Sequence, residues 1–183
     1  DGYIMIVKET NLKGCFVIEP KIFGDERGYF FESFNKEKFK DLTGIKIEFV
    51  QDNEAFSNRG VLRGLHFQKG EFAQAKLVRV VKGKVLDVVV DVRPNSKTFG
   101  QSFSIILSEE NKKQLFVPRG FAHGYAVLED NTVFVYKCDN YYYPQAEGGI
   151  IYNDSSLKID WMLSEEEVSL SEKDKILGRF KNL

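Results

Sequence analysis

The stretch "AKLVRVVKGKVLDVVVDVRP", Ala75 to Pro94, decides the fold class. It is crowded with valine, which fits a pleated, partly buried sheet surface. Lys82-Gly83 breaks it in the middle, and the stretch predicts two strands joined there by a hairpin turn. From Leu86 to Val92 the even positions are Leu86, Val88, Val90 and Val92. Asp87 and Asp91 fall on the other face, the period-two pattern of a half-buried strand.

Working outward, the same texture recurs along the chain. "GCFVIEPKIF" (14–23), "GYFFESF" (28–34), "IKIEFVQDNEAFS" (45–57), "GQSFSIILS" (100–108), "KQLFVPRG" (113–120), "AHGYAVLED" (122–130) and "TVFVYKC" (132–138) each read as strands, bounded by Gly, Pro, Asn or Asp. Helices are few. "NKEKFKDLTG" (35–44) predicts two turns ending at Gly44, and "SEENKK" (108–113) a turn or short helix. "SEEEVSLSEKDKIL" (164–177) opens with Ser164 and Glu167 at capping-box spacing and predicts a helix. Many short strands at regular spacing imply a sandwich or barrel, jelly rolls included. Without internal repeat or Pro/Ser-rich linker, residues 5–183 read as one domain. Asp1 to Ile4 precede Met5 and read as a cloning remnant.

Composition narrows the function classes. Lys and Arg total 26 against 27 Asp and Glu. That balance argues against bulk nucleic-acid binding, yet leaves room for a small anion held by a local cluster. Cys15 and Cys138 lie far apart without CxxC spacing, as expected of reduced thiols in a cytoplasmic protein. No run of 18 apolar residues is present, so no membrane partner is expected.

The chain has two histidines. His66 lies in "GVLRGLHFQ" (60–68), among strand-like apolar residues, three positions from Arg63. On a regular strand residues three apart face opposite ways, so the two share a pocket only through twist, a bulge or a neighbouring subunit. On composition alone, His66 reads more readily as a satisfied core residue than as a catalytic one. His123 lies in "VPRGFAHGY" (117–125), where P-x-G-x-x-H resembles the second motif of the cupin superfamily. The first cupin motif supplies an H-x-H pair, but here Gln68 stands where the second histidine would be. Two lone histidines fall short of the three or four ligands of a usual metal site, so no metal is expected.

Six blocks then occur in order: "FGDERGYFFESF", "NRGVLRGLHFQ", "QAKLVRVVKGKVLDVVVDVR", "VPRGFAHGYAVLED", "YKCDNYYYPQAEGGI" and "SEKD". Together they resemble the dTDP-4-dehydrorhamnose 3,5-epimerase family of dTDP-L-rhamnose biosynthesis, from Met5 to about Arg179. "QKGEFAQAK" lacks a proline often found there. The resemblance implies an all-β, cupin-like jelly roll with a few short helices, a cytoplasmic homodimer, no cofactor and a dTDP-sugar substrate. It implies that His66 is the base, Tyr136 the acid, Asp174 the partner orienting the histidine, and Lys76 a cation near the sugar carbonyl. Arg27, Phe30, Glu32, Gln51, Asn53, Arg63, His123, Glu147 and Lys173 match substrate-contact positions, and Tyr142 one that stacks on the thymine.

The residue types suit that chemistry. Removing a proton beside a ketone near neutral pH suits an imidazole whose tautomer a carboxylate fixes. A nearby lysine would stabilise the enolate. Inversion needs a proton from the opposite face, which a tyrosine can donate. Arg63 or Arg27 would hold the pyrophosphate. Residue by residue, plainer readings stand: Tyr136 a strand aromatic, Lys76 and Arg79 a solvated face, Asp174 a solvent-facing carboxylate, Tyr141 to Tyr143 core or interface. The alternatives for the whole chain are a single-site epimerase, a 3,4-ketoisomerase, or a non-enzymatic sugar-binding cupin. A missing His66–Asp174 contact would favour the last.

Overall fold

The computed structural model describes residues 5–183; the expected remnant at 1–4 lies outside them. One sheet has six strands, in the spatial order β1 (Met5–Glu9), β2 (Phe16–Pro20), β10 (Gln114–Val117), β7 (Lys76–Lys82), β12 (Thr132–Cys138) and β5 (Gln51–Ser57). The other has five: β13 (Glu147–Gly149), β6 (Leu62–Gln68), β11 (Phe121–Val127), β8 (Lys84–Asp91) and β9 (Ser102–Ser108). All pairings in both sheets are antiparallel. A separate hairpin joins β3 (Phe23–Asp25) to β4 (Gly28–Phe30). The helices α1 (Lys36–Thr43) and α2 (Glu172–Lys175) are short. This is the expected all-β, cupin-like jelly roll.

The decisive stretch folds differently from its expected hairpin. Its halves, β7 and β8, do not pair. β7 lies between β10 and β12, and β8 between β11 and β9. At Lys82-Gly83 the chain crosses from one sheet to the other. Gly83 has φ +86°, and a Cβ there would meet Thr132 Oγ1 at 2.2 Å. Only glycine fits that crossing without displacing Thr132. The reason is burial. Val78 and Val80 of β7 pack in one cluster with Val85 and Val89 of β8, between the sheets. Leu86, Val88 and Val90 point the other way, into a second cluster with Ile150, Leu157 and Trp161 of the C-terminal segment. β8 is therefore covered on both faces rather than half-buried. Asp87 and Asp91 are fully buried, not solvent-facing.

Over 35–44 the helix forms as its caps predict. The Asn35 side chain accepts from the Lys38 amide, and Gly44 takes the left-handed conformation that ends the helix. α1 lays Phe39 against Phe16, Leu77 and Phe116 on the outside of the six-stranded sheet. Over 164–177 the expected helix is limited to α2. Glu167 does accept from the Ser164 amide and hydroxyl. The chain then runs extended, because the Ser169 backbone bonds Gly60 and Leu62 beside β6. Val168 and Leu170, two apart, pack on the second cluster. Expected strands are also shorter: 14–23 ends at Pro20, 28–34 ends at Phe30, and 45–57 becomes regular only at Gln51.

Candidate active site

A cavity of about 640 Å³ opens between the sheets. Asn53, Arg63, His66, Lys76, His123, Tyr136, Lys173 and Asp174 line it, along with Tyr125 and Ser171. His66 and Arg63 share it because β6 carries a bulge. His123 pairs with His66 and Tyr125 with Arg63, so two steps on β11 oppose three on β6. The extra residue brings positions three apart to one side. Gly64, at φ +117°, allows the strands to touch there, since a Cβ would sit 2.7 Å from the His123 carbonyl oxygen.

His66 Nε2 lies 2.6 Å from Asp174 Oδ1, across 108 residues of sequence. The other carboxylate oxygen accepts the Gly64 amide at 3.1 Å. Ser171 caps α2 by accepting the Asp174 amide at 3.2 Å, which fixes the aspartate over the strand. Asp174 is buried rather than solvent-facing. Burial pushes its pKa up, but the bonds from His66 and the Gly64 amide outweigh that and hold it below the usual carboxylate range. The carboxylate thus stays ionised and engages Nε2, leaving Nδ1 as the imidazole nitrogen without a partner among the described residues.

The facing wall belongs to the six-stranded sheet. Tyr136 of β12 is half-buried, and burial raises its pKa, so the phenol keeps its proton at neutral pH. The Lys76 ammonium, from neighbouring β7, sits 5.4 Å from the Tyr136 ring centre. It makes no ion pair among the described residues. Burial depresses its pKa. Among the described residues the Arg63 guanidinium donates only to Ser57 Oγ, at 3.1 and 3.3 Å, leaving its charge available to an anion.

Three further expected residues are tied to the cavity by a chain of bonds along its rim. Gln51 donates to Asn53 Oδ1 at 3.1 Å and accepts the Tyr142 amide at 2.9 Å. The Tyr142 hydroxyl donates to Glu147 at 2.9 Å, and Lys173 to the other Glu147 oxygen at 2.6 Å. Burial works to raise the Glu147 pKa, and these two donors bring it below its ordinary value. Arg27, Phe30 and Glu32 are not brought to this cavity. Arg27 pairs with Asp25 on the exposed β3–β4 hairpin, where Phe30 is 69% exposed. Glu32 holds Lys38 and Asn35 at the start of α1.

Sequence reasoning missed Asp87. Its Oδ1 lies 2.8 Å from His123 Nε2, and both residues are buried. Oδ2 has no hydrogen-bond partner among the described residues. Burial raises the Asp87 pKa, against the pull of His123 and Lys76. A charged residue set between Leu86 and Val88 was the available signal. No group of three or more His, Cys, Asp or Glu among the described residues is arranged to hold a metal ion.

A jelly roll with a carboxylate-bound imidazole on one wall of its cavity and a lysine and a tyrosine on the other is a cupin-type scaffold equipped for proton transfer. The family model described as dTDP-4-dehydrorhamnose 3,5-epimerase matches residues 9–182. The dTDP-4-dehydrorhamnose 3,5-epimerase of Salmonella typhimurium is 52% identical over 162 residues, 88% of each chain. The crystal structure of the Elizabethkingia anophelis enzyme of that name superposes with a TM-score of 0.94 at 54% identity, covering 98% of both chains. A Legionella pneumophila dTDP-6-deoxy-D-glucose-3,5-epimerase, solved with dTDP-4-keto-L-rhamnose, gives 0.93 at 49% identity, over 97% of this chain and 93% of that one. The chain belongs to the dTDP-4-dehydrorhamnose 3,5-epimerase family.

Proposed function

We propose that this protein is an isomerase that epimerises dTDP-4-dehydro-6-deoxy-D-glucose at C3 and C5, giving dTDP-4-dehydro-L-rhamnose for dTDP-L-rhamnose biosynthesis. The observation that carries this reading is the His66–Asp174 contact at 2.6 Å inside the cavity, with Tyr136 on the opposite sheet. His66 Nδ1 removes the α-proton, and Asp174 stabilises the imidazolium that results. Lys76, with His123 held by Asp87, faces the C4 oxygen and stabilises the enolate. Tyr136 returns a proton from across the cavity, which inverts the carbon. The C4 ketone activates both C3 and C5, so one base and one acid serve both steps and no redox cofactor is needed.

The nucleotide end belongs with Tyr142 and the rim chain, and Arg63 with the diphosphate. Arg27, Phe30 and Glu32 lie outside the cavity of their own chain. We assign them to the cavity of a second copy, reached by the β3–β4 hairpin of a homodimer. Residues 5–183 act as one domain, and the two buried, unpaired cysteines suit a cytoplasmic enzyme.

The test is incubation of the protein with the 4-keto-6-deoxy-glucose nucleotide in deuterium oxide, with products read by NMR. Deuterium at C3 and C5 with both centres inverted is expected. Tyr136→Phe should still exchange protons but invert poorly. Inversion at one carbon only would make the protein a single-site epimerase. No exchange at all would refute the reading. Inversion at the wild-type rate in the Phe variant would remove Tyr136 from the mechanism.

A further inference from the structure

We infer that Gln68 is a positioning residue for nucleotide recognition: it holds the Tyr142 loop in its binding conformation before the nucleotide arrives. The inference rests on the assignment of Tyr142 to the nucleotide end. Gln68 is the last residue of β6, the strand that carries Arg63 and His66. It is buried, and its amide bonds two loops at once. Nε2 donates to the Phe72 carbonyl at 2.7 Å and to the Tyr141 carbonyl at 3.1 Å. Oε1 accepts the Tyr143 amide at 2.8 Å. Both donors and one lone pair are used, and the pattern fixes the amide orientation, because a flipped amide would set N–H against N–H.

Tyr142 therefore sits between two residues whose backbones are pinned to one side chain. Tyr142 is 53% exposed, whereas its backbone is fixed on both sides. The clamp is reinforced by a face-to-face stack of Phe72 on Tyr143, with ring centres 4.0 Å apart and planes 2° from parallel. A side chain that touches neither the cavity nor a ligand has no chemical part in proton transfer. What it supplies is order: a loop already fixed does not lose conformational freedom on binding. The consequence is a split in kinetic constants. Losing the clamp should weaken nucleotide binding and raise KM, while the His66–Asp174 contact and kcat stay as they were.

The experiment compares wild type with Gln68→Met and Gln68→Glu. Methionine keeps the length and removes all three bonds. Glutamate keeps the acceptor for Tyr143 but turns a carboxylate oxygen toward the Phe72 and Tyr141 carbonyls. Calorimetric titration with dTDP should show a Kd raised tenfold or more in both variants. Turnover at saturating substrate should stay within threefold of wild type, and a thermal melt checks folding. Equal dTDP affinity in a folded variant, or a fall in kcat with KM unmoved, would overturn the inference. A wild type that neither binds dTDP nor turns over the sugar nucleotide would instead remove the functional reading and this inference with it. A further measurement needs no variant. In the unliganded wild type the Tyr143 amide should be protected from hydrogen exchange. Exchange at the free-peptide rate, slowed only by dTDP, would mean that the loop is not prearranged.

Discussion

Replacing Asp174 by Asn tests the base most directly, because the structure fixes what the amide can do. The carboxylate has two engagements: Oδ1 with His66 Nε2 at 2.6 Å, and Oδ2 with the Gly64 N–H at 3.1 Å. An asparagine has one acceptor oxygen and one donor group. If its oxygen keeps the Gly64 amide, its NH₂ faces Nε2. The imidazole must then carry its proton on Nδ1, the nitrogen needed as the base. If the amide flips, two N–H groups oppose each other in a buried site, at a cost of about 1–3 kcal/mol. The productive tautomer then survives only as a minor population, roughly a fifth to a hundredth of the protein. Loss of the negative charge behind the imidazolium slows the reaction further. Wrong-tautomer substitutions of this kind in a serine protease cost about 10⁴-fold. The expected fall in kcat is therefore roughly 10²–10⁴-fold. The assay pairs turnover and solvent deuterium incorporation with calorimetric dTDP binding, which should be unchanged. A kcat within fivefold of wild type, in a variant that melts normally, would refute the claim that Asp174 sets the tautomer.

Two further outcomes follow from buried charges. Lys76 is desolvated and makes no ion pair among the described residues, so its folded-state pKa lies below that of the unfolded chain. The penalty of burying the ammonium is fully present below the folded pKa and is relieved as pH rises toward the unfolded value. Lys76→Met should thus raise Tm by a few degrees at neutral pH while cutting kcat by roughly 10²-fold or more; a lower Tm with activity retained would contradict both halves. Asp91 has the opposite sign. Burial pushes its pKa up, but Arg93, Ser96 and Thr98 outweigh that and bring it down to about 2. Its contribution, on the order of 2 kcal/mol, is complete above the unfolded pKa near 4 and lost as pH falls toward 2. Acid unfolding monitored by near-ultraviolet circular dichroism should show Asp91→Asn losing stability at neutral pH, with a shallower decline between pH 4 and pH 2 than wild type. Parallel declines would contradict the assignment.

The jelly roll was legible because strand periodicity survives in single strands, and α1 because Asn35 and Gly44 cap it locally. Which strands pair was not. Lys82-Gly83 has the composition of a hairpin turn, and only the need to cover β8 on both faces sends the chain to the other sheet. Asp87 and Asp91 were misplaced for the same reason: alternation distinguishes two faces but does not show that both are buried. Ser164 and Glu167 form the bond their spacing predicts, yet the backbone bonds of Ser169 beside β6 keep the following residues extended. Of the site, the six family motifs hold every expected residue except Gln51 and Asn53, which came from the wider resemblance. The bulge that unites Arg63 with His66, the Asp87 beneath His123 and the clamp at Gln68 are long-range arrangements that local spacing does not encode.

The 108-residue span between His66 and Asp174 has a consequence for biosynthesis of the protein itself. A chain emerging from the ribosome exposes His66 early, but the residue that orients it follows only 108 residues later. The intervening strands pair with partners distant in sequence, an arrangement that folds slowly. A nascent or C-terminally clipped chain can therefore hold most of its sheets and still lack an oriented base. Proton transfer as proposed switches on only when the segment carrying Ser171 and Asp174 has docked beside β6, so activity reports that docking rather than formation of the sheets.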